Sequence, residues 1–256
     1  MPTEQKEVIF AVFVASFIFF ILAVLVILLL YNYFRVRIQR EKEILKTVFQ
    51  TQESEQNRIS EDLHDDIGGK LSALKLQNEL LYTELINEST KEIVVQNATL
   101  IDTIVKDIRN IVRNQSSKYL LQNGLRSELS SLFDQYKKLK GIHVELKFLI
   151  TELNLLPDFQ IAIFRVLQEL LHNSVKHSKA SIIKLSIANT SNKLEIIYSD
   201  NGKGFENLSP ENAGMGLKNI KTRVQLYHGQ IQFTSETDIA TTFRIQFELA
   251  AISSKK

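Results

Sequence analysis

The chain has 256 residues, of which 44% are hydrophobic, and a formal net charge of +2. Its length leaves room for one or two modest domains, and its near-neutral charge disfavours nucleic acid as a direct ligand. Cysteine is absent, which excludes a disulfide framework and a thiolate metal site, so any metal must be bound through oxygen or imidazole ligands.

A long apolar segment lies near the N-terminus, at residues 8–31. It contains no charged residue and exceeds the roughly 20 residues that a helix needs to cross a bilayer, and no small-residue cleavage site of a signal peptide follows it. Only Lys6 precedes the segment, whereas four basic residues follow it. These are Arg35, Arg37, Arg40 and Lys42. The asymmetry predicts a single-pass anchor in the cytoplasmic membrane, with the C-terminal part in the cytoplasm.

Little sequence is left for a sensory domain on either side of this segment. Residues 1–7 would lie outside the membrane and are too few to fold. Residues 32–56 are charged, lack glycine and proline, and keep apolar residues at helical spacing, which predicts a cytoplasmic linker helix. We therefore expect the stimulus to arrive through the span, the linker helix or a membrane-embedded sensory partner.

Residues 57–121 carry two amphipathic helical patterns separated by a polar turn at residues 87–90. Apolar residues of the first pattern recur at steps of three and four, at Leu63, Ile67, Leu71, Leu74, Leu81 and Leu85. The second pattern repeats at Ile101, Ile104, Ile108 and Ile111. Asn78 occupies one position of the first seam, either to fix the register or as an ordinary hydrogen-bonded residue. We expect two copies to form a four-helix bundle in a homodimer, unless the hairpin packs on the rest of its own chain.

Residues 122–250 change to alternating patterns that predict strands. Alternation is clearest at residues 142–150, 183–187 and 243–249, with shorter runs at 194–198 and 231–233. Helical patterns at residues 125–139, 158–177 and 216–227 separate these strands. A mostly antiparallel sheet with helices on one face and polar residues on the other is an α+β sandwich of two layers. Residues 251–256 would be a short tail.

Four clusters of polar or glycine residues stand out along the chain. In order, they are Asp62–Asp66, Glu169–His177, Asp200–Gly204 and Gly214–Leu217. Each is ambiguous alone, since a single helical histidine is usually a surface or core residue and a short Gly-x-Gly is usually a turn. In this order they resemble the H, N, G1 and G2 boxes of bacterial sensor histidine kinases, over about Gln56–Leu249. The fragment Arg58–Asp65 further resembles the subclass whose partners are response regulators with a NarL-like (LuxR-type) DNA-binding domain.

The resemblance implies that His64 is phosphorylated from ATP and that Asp65 assists this reaction. Because Leu63 and Ile67 belong to the apolar seam, His64 should lie beside the seam on the helix surface. An imidazole attacks phosphorus only through an unprotonated nitrogen, and a carboxylate that accepts a hydrogen bond from the other nitrogen fixes that tautomer. The competing interpretation of this cluster is a solvated polar face.

The same resemblance implies a site for ATP and Mg²⁺ in the C-terminal part, with the Bergerat fold of the GHKL superfamily. Asn173 would coordinate Mg²⁺, and Glu169 would either support it or be an ordinary surface carboxylate. Asp200 would accept a hydrogen bond from the adenine amino group. The other implied nucleotide-binding positions are Lys176, His177, Gly202, Gly204, Gly214, Gly216, Leu217 and Thr241. Residues 205–213 would form a short mobile lid.

Two positions depart from the family's pattern. Gly69 stands where the subclass often has a glutamine that positions water for dephosphorylating the partner, which puts phosphatase activity in doubt. Ala240 stands where related kinases usually have glycine, which predicts a slightly altered turn. Zinc bound by His172 and His177 is disfavoured, because a spacing of five should place the two rings on different sides of a helix.

Two functions other than a histidine kinase remain open on these residues. One is an ATPase or serine kinase of the GHKL superfamily, which would not need His64 and Asp65. The other is a non-catalytic membrane adaptor that keeps the nucleotide fold in order to dimerise or dock partners. Acid-labile phosphate on the protein would favour the kinase, because phosphohistidine hydrolyses in acid whereas phosphoserine does not.

Overall fold

The computed structural model describes most of the chain, namely residues 3–84, 88–139, 141–150, 154–190, 192–204, 214–236 and 240–253. The predicted lid at residues 205–213 lies outside the described residues. So do Leu85 of the first helical pattern, Asn87 of the polar turn, and residues 238 and 239 before Ala240. Residues 1–52 and residues 53–256 form two compact units.

The first unit consists of helix α1 (Thr3–Asp62) up to Gln52. Its apolar segment has a mean hydropathy of 3.3, and none of it is buried. Large side chains such as Phe19 and Leu29 are 75% and 62% exposed. By length and composition, this helix is a candidate membrane span. Residues 32–56 are helical, since α1 runs through them without a break, and their role as a cytoplasmic linker stays a prediction.

A helical hairpin opens the second unit. The last turns of α1 are followed by a π-helical turn (Leu63–Ile67), by α2 (Gly68–Glu84) and by α3 (Glu88–Gln115). Three side-chain contacts pair α3 antiparallel to the first arm, and they join Ser60 with Val112, Lys75 with Asp102 and Asn78 with Val94. Asn78 is buried and donates from Nδ2 to the Val94 carbonyl at 2.9 Å. The predicted helical hairpin is confirmed.

The π-helical turn shifts the apolar seam of the first arm. In a π-helix each N–H bonds to the carbonyl five residues back, so the turn holds more residues than an α-helical turn. The inward positions that follow it are Leu71, Lys75 and Asn78, whereas Leu74 and Leu81 are 48% and 53% exposed. Of the predicted seam residues, Leu71 is half-buried within the hairpin, whereas Leu74 and Leu81 lie on a surface that is exposed in the single chain.

The isoleucines of α3 form two stripes instead of one. Ile101 is buried and Ile108 half-buried against the first arm, whereas Ile104 and Ile111 are exposed. A step of three residues falls about 60° short of a full helical turn, while a step of seven almost completes two turns. The four isoleucines of the predicted pattern therefore divide between the contact with the first arm and a surface that is exposed in the single chain.

Two helix boundaries near the hairpin also differ from the predictions. Because α3 begins at Glu88, the residues from Glu88 to Thr90 are helical and not part of a turn. A short helix α4 (Ser117–Asn123), which was not predicted, follows α3 and is capped by Ser116, whose Oγ accepts a hydrogen bond from the Lys118 N–H. Gly124 ends α4 with a φ of +83°, a conformation that favours glycine.

A five-stranded sheet and its helices make up the C-terminal part. The helices are α5 (Leu125–Lys137), α6 (Pro157–Lys176), α7 (Met215–Leu226) and α8 (Leu249–Ile252). The strands are β1 (His143–Leu149), β2 (Ile182–Asn189), β3 (Lys193–Asp200), β4 (Gln230–Glu236) and β5 (Ala240–Glu248). The strand order is β1-β2-β3-β5-β4, with β1 and β2 parallel and the other neighbours antiparallel.

One face of this sheet is buried and the other is more exposed. Inward residues alternate along the three central strands, at Ile183, Leu185, Ile187, Leu194, Ile196, Tyr198, Phe243, Ile245 and Phe247. They share a single core with the apolar faces of α5, α6 and α7. Charged residues such as Lys184 and Arg244 alternate with them. The predicted two-layer α+β sandwich is confirmed, and Asp200 ends β3 beside the last turns of α6.

Candidate functional site

His64 and Asp65 form an exposed pair on the hairpin. The π-helical turn that carries them has no buried residue, and their side chains are 63% and 83% exposed. His64 Nδ1 lies 3.0 Å from Asp65 Oδ1. With Asp65 ionised, Nδ1–H donates to the carboxylate and the lone pair of Nε2 faces away from it. In this tautomer the Nε2 lone pair of His64 is open to solvent.

Two cavities flank the His64 ring. One, of about 350 Å³, lies between the two arms and includes Gly68, Gly69 and Arg109 in its lining. The other, of about 210 Å³, is bordered by Glu61, Lys118 and Gln122, among others. His64 and Asp65 line both cavities, so the ring is accessible from two sides. Every described residue that lines either cavity lies between Ser60 and Gln122.

Asp200, in the C-terminal part, is a buried carboxylate with several hydrogen bonds. Its carboxylate is 6% exposed and accepts hydrogen bonds from Ser174 Oγ at 2.7 Å, Ser178 Oγ at 3.1 Å and the Gly202 N–H at 2.9 Å. Tyr198 donates to Ser174 Oγ at 2.7 Å, and burial raises the pKa of its phenol, which keeps this donor protonated. The network fixes the carboxylate at the end of β3.

Ser174 and Ser178 were not predicted as site residues. Ser174 continues the buried stripe of α6 formed by Ile163, Leu167 and Leu171, and Ser178 is buried two residues after the helix ends. A polar side chain at such a position needs a buried hydrogen-bond partner, because an unpaired one costs about 1–3 kcal/mol. A serine on the apolar stripe of a predicted helix was therefore the available signal that a buried polar group lay opposite.

Gly202 and Gly204 are required by the fold for different reasons. A Cβ atom at Gly202 would lie 2.2 Å from Ser178 Oγ and 2.5 Å from the Ser178 carbonyl oxygen, which leaves no room for any side chain. Gly204 has a φ of +73°, in the left-handed region. The sequence interpretation assigned both glycines to a close approach of the nucleotide, but contact with Ser178 already demands glycine at position 202.

The structure brings the second and fourth clusters together. Asn173 Nδ2 lies 3.5 Å from Glu169 Oε1, one turn away on α6. A Cβ atom at Gly216, in the first turn of α7, would lie 2.2 Å from the same Glu169 oxygen and 3.6 Å from Asn173 Nδ2. Gly214, which precedes α7, has a φ of −55° and open space around it. The N-terminus of α7 therefore abuts the polar stripe of α6.

The donor atoms of this junction fit a cation that is held mainly by a nucleotide. Glu169 and Asn173 offer a carboxylate and an amide oxygen, the hard ligands that Mg²⁺ prefers. The described part of the chain contains no group of three or more His, Asp or Glu side chains placed to hold a metal. Mg²⁺ usually takes one or two protein oxygens and completes its shell with phosphates and water. The residues present match that pattern.

The remaining predicted positions lie at the edges of this junction. Lys176 ends α6 and His177 caps it, and both are exposed. Leu217 packs partly into the core, whereas Thr241 is fully buried and pairs with Asp200 across β3 and β5. The structure thus gathers the second, third and fourth clusters at one end of the sandwich.

The prediction that the rings of His172 and His177 lie on different sides of the helix is wrong. The ring centroids are 6.3 Å apart and the rings meet edge to face. His177 is the C-cap residue of α6 and its N–H still bonds to the Asn173 carbonyl, so a spacing of five does not separate the two rings at this end of the helix. Two imidazoles in this arrangement still provide no third ligand among the described residues.

The hairpin with its exposed, carboxylate-paired histidine is followed along the chain by an α+β sandwich with clustered glycines. The family model described as "Histidine kinase" matches residues 55–119. The model described as "Histidine kinase-, DNA gyrase B-, and HSP90-like ATPase" matches residues 159–251, within the sandwich. This chain belongs to the histidine kinase family.

Individual relatives are similar to most of this chain over part of their own length. "Signal transduction histidine-protein kinase/phosphatase DegS" of Brevibacillus brevis is 27% identical over 82% of this chain and 55% of that protein. "Sensor histidine kinase LnrJ" of Bacillus subtilis (strain 168) is 32% identical over 77% of this chain and 48% of that protein. The chain thus spans about half the length of these curated relatives.

A solved histidine kinase domain, from the blue-light activated histidine kinase of Erythrobacter litoralis EL346, covers 71% of this chain and 95% of its own. The sequence identity is 14% and the TM-score is 0.46. At these values the similarity adds nothing to the assignment, which stands on the two family models and the curated relatives.

Proposed function

We propose that this chain is a sensor histidine kinase of a two-component system, which transfers the γ-phosphoryl group of ATP to His64 and then to an aspartate of a response regulator. The observation that carries the proposal is the exposed His64–Asp65 pair, 3.0 Å apart, on a hairpin in the same chain as an ATPase domain. An ATPase without phosphotransfer has no use for such a pair.

The chemistry of the first step follows from the tautomer. The Nε2 lone pair of His64 attacks the γ-phosphorus, the bond to the bridging oxygen breaks, and ADP leaves with the bonding electrons. Positive charge develops on the ring and is stabilised at Nδ1–H by the carboxylate of Asp65. In the second step the phosphoryl group passes from Nε2 to a carboxylate oxygen of the partner's receiver domain, and the neutral imidazole is regenerated.

The ATPase domain would bind and align the nucleotide. Asp200, already fixed by its serines, would accept a hydrogen bond from the adenine amino group, which selects adenine. Lys176 and His177 would approach the phosphates from the end of α6, and the glycines of the third and fourth clusters, with Leu217 and Thr241, would border the nucleotide. Asn173, supported by Glu169, would hold Mg²⁺, which neutralises phosphate charge when bound.

A homodimer is proposed from the exposed apolar residues of the hairpin. Both arms contribute to this surface, and its members are Leu74, Leu81, Ile93, Leu100, Ile104 and Ile111. Contiguous apolar surface of this kind usually marks an interaction site. Two hairpins that pack these stripes together make a four-helix bundle, while His64 on the π-helical turn stays accessible.

Partner and placement are proposed from the sequence motifs. The Arg58–Asp65 fragment favours a response regulator with a NarL-like DNA-binding domain, and the basic residues after the candidate span favour cytoplasmic kinase domains. Gly69 lacks any side chain that could position water, and the space beside it is open. We therefore propose kinase and phosphotransfer activity and leave dephosphorylation of the partner out of the function.

The test is the chemical stability of the phosphate that the full chain acquires from γ-labelled ATP. We expect a label that is lost in acid and kept in base, and that is absent in His64→Gln although ATP still binds. An acid-stable label, or one that survives His64→Gln, would indicate a serine kinase. ATP hydrolysis without any label would indicate an ATPase, and ATP binding with neither would indicate an adaptor.

A further inference from the structure

A buried ion pair joins the ATPase domain to the helix that leads into His64. Arg165 on α6 and Glu53 on α1, 112 residues apart in sequence, form two hydrogen bonds, from Nε at 3.0 Å and from Nη2 at 2.6 Å. Their side chains are 8% and 12% exposed. The proposed phosphotransfer steps use neither residue.

Arg165 is also bonded to the end of α3. It donates from Nη1 to the Asn114 carbonyl at 2.7 Å and from Nη2 to the Gln115 carbonyl, and Gln168 Nε2 donates to the same Asn114 carbonyl at 3.1 Å. Carbonyls in the last turn of a helix lack helical partners and carry its negative partial charge. The Arg165 guanidinium therefore connects three elements, namely α1, the end of α3 and its own helix α6.

The pair is placed between the two functional regions. On α6, Arg165 stands four residues before Glu169 and eight before Asn173, so all three lie on one stripe of the helix. On the first arm, Glu53 precedes His64 by eleven residues of continuous helix. Any change in the orientation of α1 must therefore act on the helix that carries the proposed Mg²⁺ ligands.

Further polar contacts extend the same stripe of α1. Asn57, four residues after Glu53, accepts from Ser117 N and bonds its hydroxyl, and Glu61, four residues further, pairs with Lys118. Burial lowers the pKa of Arg223 on α7, and the Glu53 charge acts in the opposite direction. The Glu53 charge therefore favours the charged form of Arg223, whereas the Arg165 charge opposes it.

In the structure that contains the Arg165–Glu53 ion pair, His64 is bordered by residues of the hairpin region. The two cavities beside the ring are lined, in the described part of the chain, by residues between Ser60 and Gln122. Glu169, Asn173 and Asp200 are not among them. Phosphoryl transfer requires the γ-phosphorus within reach of Nε2, and this arrangement does not place the proposed nucleotide ligands at the cavities beside the ring.

We propose that Arg165 and Glu53 form a latch that keeps the ATPase domain in a resting arrangement, and that opening this latch is a step required for phosphorylation of His64. The inference rests on the proposed kinase function. A buried pair of this kind is costly to break by removing one partner, so the resting arrangement predominates until α1 changes its orientation. The latch thereby makes the rate of phosphorylation depend on the helix that joins the candidate membrane span to His64.

The first test is Glu53→Gln in the full chain in lipid vesicles. Because the fraction of reaction-competent molecules sets the observed rate, we expect initial autophosphorylation at saturating ATP to rise about tenfold, with unchanged ATP affinity. The matched control is Glu195→Gln, which alters an exposed ion pair with Arg244 on the sheet and should leave the rate unchanged. A rate for Glu53→Gln equal to or below the wild-type rate, with ATP binding intact, would overturn the latch.

A second test closes the latch covalently and uses the absence of natural cysteine. Glu53→Cys and Arg165→Cys are combined and joined by a short bismaleimide that contains a reducible disulfide. We expect the joined protein to bind ATP but to lose most of its phosphorylation, and reduction of the linker to restore a rate above wild type. Equal rates before and after reduction would contradict the latch. Absence of any His64 label on the wild-type chain would instead overturn the proposed function, and the latch with it.

Discussion

The hairpin and the ATPase domain hold their key polar groups in opposite ways. His64 is 63% exposed, and its Nδ1 lies 3.0 Å from Oδ1 of the neighbouring Asp65. Asp200 is 6% exposed and accepts three hydrogen bonds, two from serine hydroxyls and one from a backbone N–H. The histidine is presented to solvent, whereas the carboxylate is buried and fixed before any ligand arrives.

The difference follows from the partners that each group is proposed to bind. A histidine that receives a phosphoryl group and passes it on must be reached by two partners in turn, so its surroundings stay open and docking supplies the alignment. A carboxylate that discriminates between bases must be preorganised, because a mismatch leaves a buried group without its hydrogen bond. Substitutions near His64 should therefore change rates, and substitutions near Asp200 should change stability and affinity.

The largest effect is expected on the exposed side of this comparison, for Asp65→Asn. The amide cannot stabilise the developing imidazolium charge, and it can favour the wrong ring tautomer, so phosphorylation of His64 should slow on the order of 100-fold. Calorimetry should find ATP binding and the free energy of unfolding close to wild type. A normal rate would remove Asp65 from the mechanism, and a large loss of stability would break the contrast between the two regions.

On the buried side, Gly202→Ala should damage the fold itself. Its Cβ would meet Ser178 backbone and side-chain atoms at 2.2–2.5 Å, and overpacking of this kind costs about 1–3 kcal/mol. Denaturant unfolding should show that loss, together with weaker ATP binding. The matched control is Gly214→Ala, since the space around Gly214 is open, and it should leave the free energy of unfolding unchanged.

Sequence alone predicted much of the fold, because strand alternation and helical spacing are local properties. The strands of the sandwich, the helices α5 to α7 and the order of the four clusters followed from them. The hairpin was harder, since a π-helical turn interrupts the α-helical period at Leu63–Ile67. No local sequence pattern indicates a change from α- to π-helical hydrogen bonding within a continuous helix.

The candidate site was predicted in its positions but not in its internal contacts. Ser174 and Ser178 were missed because their partner, Asp200, lies more than twenty residues away in sequence. The Arg165–Glu53 pair spans 112 residues, and neither residue belongs to a recognised motif. Long-range pairing of this kind depends on how two domains pack, which helical spacing and alternation do not specify.

A third prediction concerns a different ion pair, which joins α3 of the hairpin to α5. Arg113 on α3 donates two hydrogen bonds to Glu128 on α5, at 2.9 and 2.8 Å. Burial raises the pKa of Glu128, but hydrogen bonds from Arg113 and Asn123 outweigh it and leave the pKa below its ordinary value. The ionised form therefore stabilises the fold above the ordinary pKa, and this contribution is lost as pH falls through the lowered one.

We expect Glu128→Gln to lower the free energy of unfolding by about 2 kcal/mol at neutral pH, because it leaves the Arg113 guanidinium without its charged partner. The difference in the free energy of unfolding between wild type and variant should become smaller below about pH 4, where the wild-type carboxylate becomes protonated and loses its charge. Urea unfolding of both proteins across this pH range measures that difference. A difference that widens in acid would contradict the assigned direction of the pKa shift.

The smallest effect is expected for Gly216→Ala, at the junction of α6 and α7. Its Cβ would displace only the tip of the Glu169 side chain, which is flexible, so stability should hardly change. Because Glu169 lies against the proposed Mg²⁺ ligand Asn173, the affinity for ATP with Mg²⁺ should fall about tenfold while that for ATP without metal changes little. Equal losses with and without Mg²⁺ would separate Glu169 from the metal.

The central claim is that His64 itself carries the phosphate, and site-specific mass spectrometry under alkaline conditions tests it most directly. After incubation of the full chain with ATP and Mg²⁺, the peptide that contains His64 should carry one phosphoryl group, which disappears on brief acid treatment. The same peptide from Asp65→Asn should gain it slowly. A phosphoryl group that maps to a serine or threonine, or to any other histidine, would contradict the account.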